Sequence, residues 1–535
     1  MKQGFRQSMS WLHTWGGLWF TWLLFTVFIT GTLGVFDDAI SHWMREKGKA
    51  SEVASLSAPE RLHAVALGQA YLAREAPQAE FWSIGLPGED EAALRLFWRR
   101  SEADPVERRR LDPVTGSELG AGDSRETEGG HHFVHMHFEL HAGQAGIWIV
   151  GAATVALLVA LVSGIVVHKK IFTDFFTFRP GKGQRSWLDG HNALGVLTLP
   201  FLFMIAYTGL IIFWATYMPA GIFARYQGDE DRLFAALTEG PAPRPLQNVP
   251  AAVAPLPPLL ERGEAAIARE ASFVVVNHAG DRSAAVRIFG RFDPDAESDR
   301  LVGRGSGSAL FDGVSGETID VQKPNTVRGG NVLATQRTMN ALHFVRFGGY
   351  PMKWLYFLCG MAGAAMLATG AILFMVKRRK KAAGEFGAAT ARVYRIIEAL
   401  NVAAIAGLLL SCIGYLWINR LLPLDLAQRP TREIQVFFAL WLGCLFHAGW
   451  RAPQRAWVEQ LGATAVLCLG LPLINLITTG DWLLPALLRG DAETAGVELT
   501  AMGFGLLALA ALRHLARRSA ARATTPAPIQ TAGGH

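Results

Sequence analysis

At 535 residues the chain is long enough for several soluble domains, yet half of it is apolar, and the apolar residues collect in long uncharged runs. The formal charge of +6 and a pI near 9.2 would suit nucleic acid, but the basic residues flank those runs on one side, which excludes a nucleic-acid groove and points to lipid.

Taken in chain order, residues 1–37 hold a first membrane span over Trp15–Phe36. Its apolar run exceeds that of a signal peptide and no small-residue cleavage site follows, so it reads as a retained helix. Residues 38–146 are polar and read as an extramembrane α+β domain: a helix at Pro59–Arg74, then strands at Phe81–Leu86 and Ala92–Trp98. Residues 147–217 carry spans Ile147–Val167 and Ala193–Tyr217 with a short loop between them. A second α+β domain, 218–353, repeats the plan with a helix at Leu259–Arg269 and strands at Phe273–Asn277 and Ala284–Phe289. Residues 354–380 form the fourth span, Trp354–Val376. A further four-helix membrane domain occupies 396–513, with spans at about 399–418, 434–450, 461–480 and 499–512, before a tail at 514–535. The first four runs have the roughly 20 residues needed to cross ~30 Å of hydrocarbon. A helix satisfies its own backbone there, so the expected fold is polytopic α-helical with about eight transmembrane helices and two α+β domains.

Lys169, Lys170, Arg179, Lys182 and Arg185 follow the second span and Lys377–Lys381 the fourth. Such loops stay in the cytoplasm, which puts both termini inside and both α+β domains outside. Arg420, Arg429 and Arg432 fall on the outer side and dissent from this pattern.

The first 376 residues read as two copies of one unit. Leu111-Asp112-Pro113-Val114-Thr115-Gly116 matches Phe311-Asp312-Gly313-Val314-Ser315-Gly316, each a turn opened by Asp and closed by Gly. Thr30-Gly31 matches Thr208-Gly209, and Gly164 matches Gly370. His13 precedes the first span as His191 precedes the third, and His137 precedes the second as His343 precedes the fourth. Both halves run in–out–in, which is a parallel repeat about an axis along the membrane normal.

Such a repeat predicts that His13 faces His191 near one surface while His137 faces His343 near the other. Two imidazoles facing across a helix bundle suit a six-coordinate haem iron. No C-x-x-C-H is present, and all four cysteines lie inside spans, so haem would be non-covalent, of b type, with bis-histidine ligation and two copies. Each histidine alone could equally be an interfacial anchor. His168 has no partner in the repeat and could displace His13; His141, one turn past His137, could be the outer ligand. His131/His135 and His137/His141 are spaced i, i+4 and could share a helix face to bind a metal. His447, inside the sixth span, reads as a structural hydrogen-bonding residue. Neither G-x-x-x-x-G-K-[ST] nor G-x-G-x-x-G occurs, so electrons would come from quinol or a cytoplasmic reductase.

These residues carry a resemblance. The segment from His168-Lys169-Lys170 through Arg179-Pro180-Gly181 to Trp187-Leu188-Asp189-Gly190-His191-Asn192 is similar to the inner loop of PepSY-associated transmembrane-helix proteins. Trp11-Leu12-His13, His137-Phe138-Glu139-Leu140 and Leu342-His343-Phe344 agree with it, as do the twin Asp-to-Gly turns. The resemblance covers about residues 1–380 and implies a bacterial inner-membrane protein with periplasmic PepSY domains. It further implies His13, His191, His137 and His343 as ligands, with His168 matching an inner-loop histidine. By the same resemblance the chain would be an oxidoreductase passing electrons to a periplasmic ferric siderophore or other ferric chelate during iron uptake. Two other classes stay open: a non-redox regulatory or peptide-binding membrane protein, and a metal transporter. The spans of 396–513 fall outside the resemblance.

Overall fold

The computed structural model describes residues 2–45, 56–88, 93–120, 125–168, 184–238, 240–242, 244–293, 305–326, 328–385 and 388–523. The inner loop at 169–183, with Lys169, Lys170, Arg179 and Lys182, lies outside them. Two compact units emerge: a helical one (Met1–Glu46, Arg125–Pro200, Phe357–His535) and one containing the sheet (Lys47–Ser124, Phe201–Tyr356).

Among the described residues eight helices are long and apolar enough to cross a membrane: Gly4–Gly34, Gly143–Val167, Gln184–Ile212, Gly349–Lys377, Ala391–Leu421, Arg429–Trp450, Pro453–Thr479 and Ala492–Arg517. The chain is a polytopic helical membrane protein. The expected number of spans holds, but several ends move outward. Hydropathy marks only the part of a helix that lipid demands, whereas backbone hydrogen bonding continues through polar residues at either end. His13 and His191 therefore sit inside helices, not ahead of them, and the third span takes in Asp189. The fifth span contains a π-helical turn at Ala403–Gly407, against which Trp441 Nε1 donates to the Ala403 carbonyl at 2.9 Å. His447 holds Glu459 at 2.7 Å, the structural role expected of it.

In the other unit the two α+β segments share one seven-stranded sheet, ordered β3-β2-β1-β4-β5-β6-β7. Its strands are β1 (Ala79–Gly85), β2 (Leu94–Arg99), β3 (Glu107–Leu111), β4 (Ala271–Ala279), β5 (Ala285–Gly290), β6 (Ser308–Asp312) and β7 (Thr318–Gln322). All neighbours are antiparallel, and the seam is β1 against β4, with Trp82 opposite Val276 and Ile84 opposite Val274. Trp82, Ile84, Leu94, Leu96, Trp98, Val274, Val276, Val286 and Ile288 alternate inward, as period-2 patterning requires, and pack with helices Ala58–Glu75 and Leu256–Ile267 into one apolar core. Gly68 and Gly263 let these helices close on the sheet: a Cβ on Gly263 would stand 2.7 Å from Ile288 Cδ1. Arg61 joins the two helices through a two-pronged bond to Glu264 at 3.1 and 3.0 Å.

The twin turns repeat atom for atom. Asp112 Oδ1 accepts from the N–H of Val114 (2.9 Å) and Thr115 (2.8 Å); Asp312 Oδ1 accepts from Val314 (2.9 Å) and Ser315 (2.8 Å). Gly116 and Gly316 close them at φ of 71° and 73°, a region costly for a side chain. Residues 38–45 and 125–146, expected in the first α+β domain, instead belong to the helical unit.

Candidate functional site: four histidines seated on four glycines

The first span brings two sites onto one face. Gly31 follows His13 by 18 residues, which is about five turns of 3.6 residues and roughly 27 Å of rise. The same interval recurs between His191 and Gly209. A second interval, 27 residues, separates both His137 from Gly164 and His343 from Gly370.

These four glycines are the seats of the four histidines. A Cβ on Gly164 would stand 3.1 Å from His13 Cε1, and one on Gly370 would stand 3.1 Å from His191 Cε1. A Cβ on Gly31 would overlap the His137 ring, and one on Gly209 would reach 3.0 Å from His343 Cε1. A side chain at any of these positions would crowd the imidazole, most severely at Gly31.

Each ring is also turned by its Nδ1. His13 Nδ1 lies 3.0 Å from the Ala160 carbonyl, His191 Nδ1 2.9 Å from that of Met366, and His137 Nδ1 2.8 Å from that of Val27. In each case the carbonyl belongs to the residue four before the seating glycine. His343 Nδ1 instead meets Thr208 Oγ1 at 3.0 Å, and that hydroxyl donates to the Met204 carbonyl at 2.8 Å. A carbonyl only accepts, so Nδ1 carries the proton and Nε2 the lone pair, the tautomer a metal-bound histidine uses with its second nitrogen bonded to the protein. Burial pushes the pKa of His137 below its ordinary value, and the Val27 bond only partly offsets this. The ring is neutral, as a ligand must be.

His13 and His191 come together in the helical unit. Their ring centres are 6.3 Å apart and their planes are inclined at 66°. Two metal–nitrogen bonds of about 2 Å each, plus roughly 1 Å from nitrogen to ring centre on each side, give about 6 Å. The pair borders a cavity of about 600 Å³, within the usual range for a cofactor pocket. Its walls are apolar (Leu157, Leu161, Leu367, Phe374), and its rim carries Asn192, His168 and Lys377. The donor set, the tautomers and the cavity would suit a flat, metal-centred macrocycle held by His13 and His191. His168 caps the second span at this rim, while His13 faces His191.

At the other end of the first span the helix His131–Phe138 ends before His141. Leu140 and His141 have φ of 55° and 52°, so His137 and His141 do not share a helix face, which corrects that pairing. His137 goes to Gly31, whereas His141 Nε2 bonds His132 Nδ1 at 2.9 Å. His131 lies 3.6 Å from Asp37, and His135 bonds Glu139 at 2.6 Å. Each turns to its own carboxylate, and among the described residues no group of three or more His, Cys, Asp or Glu side chains could hold a metal ion. His343, in the sheet-containing unit, ends helix Gly330–His343 on its seat at Gly209. The sequence singled out Gly31, Gly164, Gly209 and Gly370 as markers of the repeat but not as seats. Ala160, Val27 and Met366 were missed, because a carbonyl acceptor leaves no signature in residue type.

An uncharacterised protein of Pseudomonas aeruginosa is 26% identical over 424 residues, which cover 75% of this chain and 98% of the relative. The model for the PepSY-associated TM region matches residues 10–377, from just before His13 to the end of the fourth span, and the chain belongs to that family.

Proposed function

We propose that this protein is a haem b electron carrier of the bacterial inner membrane that delivers electrons to a ferric siderophore or another ferric chelate in the periplasm. The observation that carries the reading is the His13–His191 pair, 6.3 Å apart, each ring with its Nδ1 at a helix carbonyl beside one cavity. His13 and His191 would hold one haem; His137, about five helical turns away along the first span, would be a ligand of a second. When bound, haem supplies a one-electron iron couple.

The chain's own contribution is orientation and insulation. Gly164 and Gly370 let the rings lie against the helices, and the carbonyls of Ala160 and Met366 fix their planes. Leu157, Leu161 and Phe374 would give the haem cavity an apolar wall. Lys377 and His168 at the rim suit the carboxylates of a porphyrin. With the N-terminal side of the first span in the cytoplasm, a quinol or a cytoplasmic reductase is the electron donor. Ferric iron held by hard oxygen ligands accepts one electron and is released as the weaker-bound Fe(II). The sheet-containing unit would be the periplasmic part, in the manner of PepSY domains.

The test is the visible spectrum of the purified full chain. Two haems of b type per chain are expected, with reduced α-bands that fall by half in His13→Ala and again in His13→Ala/His137→Ala. A colourless wild-type preparation, after expression with ample haem, overturns the proposal.

A further inference from the structure

Resting on the reading of His137 as a haem ligand, we infer that the last four spans are a clamp that positions His137, through the segment leading into its short helix. Nothing in the family match accounts for these spans, which begin after residue 377. The helix His131–Phe138 has only two turns, so besides its seat on the first span its position depends on what holds its two ends.

Both ends are held from the C-terminal spans. Arg125 donates to the Asn419 carbonyl at 2.7 Å, Arg429 to that of Glu126 at 2.7 Å, and Thr127 Oγ1 to Glu433 at 2.6 Å. The His132 ring is fully buried, with its centre 4.4 Å from those of both Tyr415 and Phe437. His132 in turn bonds His141, which packs edge-on to Phe438 and fixes the far end. The holding residues are themselves locked. Arg429 and Glu433 form a buried ion pair, Asn419 donates to Glu433 at 2.8 Å, and Arg420 bonds Asn419 at 2.9 Å and Asn475 at 3.0 Å. Asn475 then bonds Glu498, which accepts from Trp43 at 3.1 Å. One polar network thus ties spans five to eight to the chain ahead of His137, and the ring contact of His141 with Phe438 holds the chain beyond it. Buried ionic groups in a membrane domain need such a reason, since placing them there is costly.

A metal ligand must be held within about 0.5 Å, and loss of a supporting contact commonly weakens metal binding 10–100-fold. Thr127, His132 and Glu433 act here as positioning residues. The experiment uses the full-length protein with Thr127→Val, Thr127→Ser and His132→Phe, and with His447→Gln as the control at a separate hydrogen bond of the same spans. Haem content and the low-spin electron paramagnetic resonance signals of the two haems are read. Thr127→Val and His132→Phe should shift the signal of the haem on His137 and weaken its binding at least tenfold, leaving the other haem's signal intact. Thr127→Ser restores the wild-type signal, and His447→Gln moves neither. Unchanged signals in Thr127→Val and His132→Phe refute the clamp while leaving the haem reading standing; loss of both haems together refutes it as well, since the effect is then on the whole fold. A wild-type protein without haem removes both inferences.

Discussion

The sharpest prediction concerns Gly31→Ala. The new methyl would stand 2.6 Å from His137 Cε1 and 3.1 Å from Cγ, and closer still to Nδ1. Ordinary contact needs about 3.5–4 Å, so the ring must retreat by about 1 Å. Its 2.8 Å bond to the Val27 carbonyl does not survive that movement. Overpacking costs about 1–3 kcal/mol, while replacing a helical glycine by alanine returns about 1 kcal/mol, so overall stability changes little. The ligand, however, is moved beyond the roughly 0.5 Å tolerance of a preorganised site, and the haem on His137 should be lost 10–100-fold more readily. At Gly164 the alanine methyl meets His13 Cε1 at 3.1 Å, and a few tenths of an ångström of adjustment suffice, so Gly164→Ala should weaken its haem less. Gly443→Ala, with no atom within 4 Å of its new methyl, is the control. Titration of each apo-protein with haemin, followed by absorbance, gives the order Gly31→Ala weakest, Gly164→Ala intermediate, Gly443→Ala as wild type. Wild-type affinity in Gly31→Ala refutes the seating argument.

Two further expectations follow from the polar groups. Asp112→Ala and Asp312→Ala each remove two turn bonds worth about 0.5–1.5 kcal/mol apiece, but Asp312 also accepts from Arg244 at 2.7 Å, so thermal unfolding should show the larger loss at 312. Burial pushes Asp312 up, yet Arg244 and the N–H groups of Ser315 and Val314 outweigh it and hold the carboxyl at about 2; its stabilisation is complete above about pH 4 and disappears as pH falls through about 2, and equal losses at both positions would refute the Arg244 contribution. His132 behaves alike for the opposite charge. Burial first, then the neighbouring His141 and His135, holds its pKa well below the ordinary value, so the fold resists its protonation. Stability then falls as pH drops below about 6.5, by up to about 1.4 kcal/mol per pH unit, and His132→Phe should flatten that slope in an unfolding titration; an unchanged slope refutes the assignment.

Much of this architecture is written in the residues, and the omissions have physical causes. Eight spans stand out because lipid demands unbroken apolar runs. Their ends do not, since the helix around His13 and Asp189 continues on backbone hydrogen bonds alone. β3, the charged run Glu107–Leu111, carries no strand pattern: the partners of its Arg109 lie across the surface, at Glu118 and over the Trp98 ring. Nor does alternation within β1 and β4 say that they pair with each other. The histidines and glycines could be read as a matched series, but not which ring rests on which glycine, because that depends on which helices touch. The diverging courses of His137 and His141 turn on two consecutive positive φ angles, at Leu140 and His141, where no glycine or asparagine announces a turn.

The β1–β4 seam carries an evolutionary consequence. Antiparallel pairing of two corresponding strands is what a two-fold axis through the seam produces. Two separate copies of a half-length chain, each contributing three strands and one covering helix, would close the same sheet as a symmetric dimer. Joining the copies end to end removes the dependence on concentration and frees each half to diverge, as β7 already has: in the first half its place is taken by a single bridge between Leu111 and Glu118.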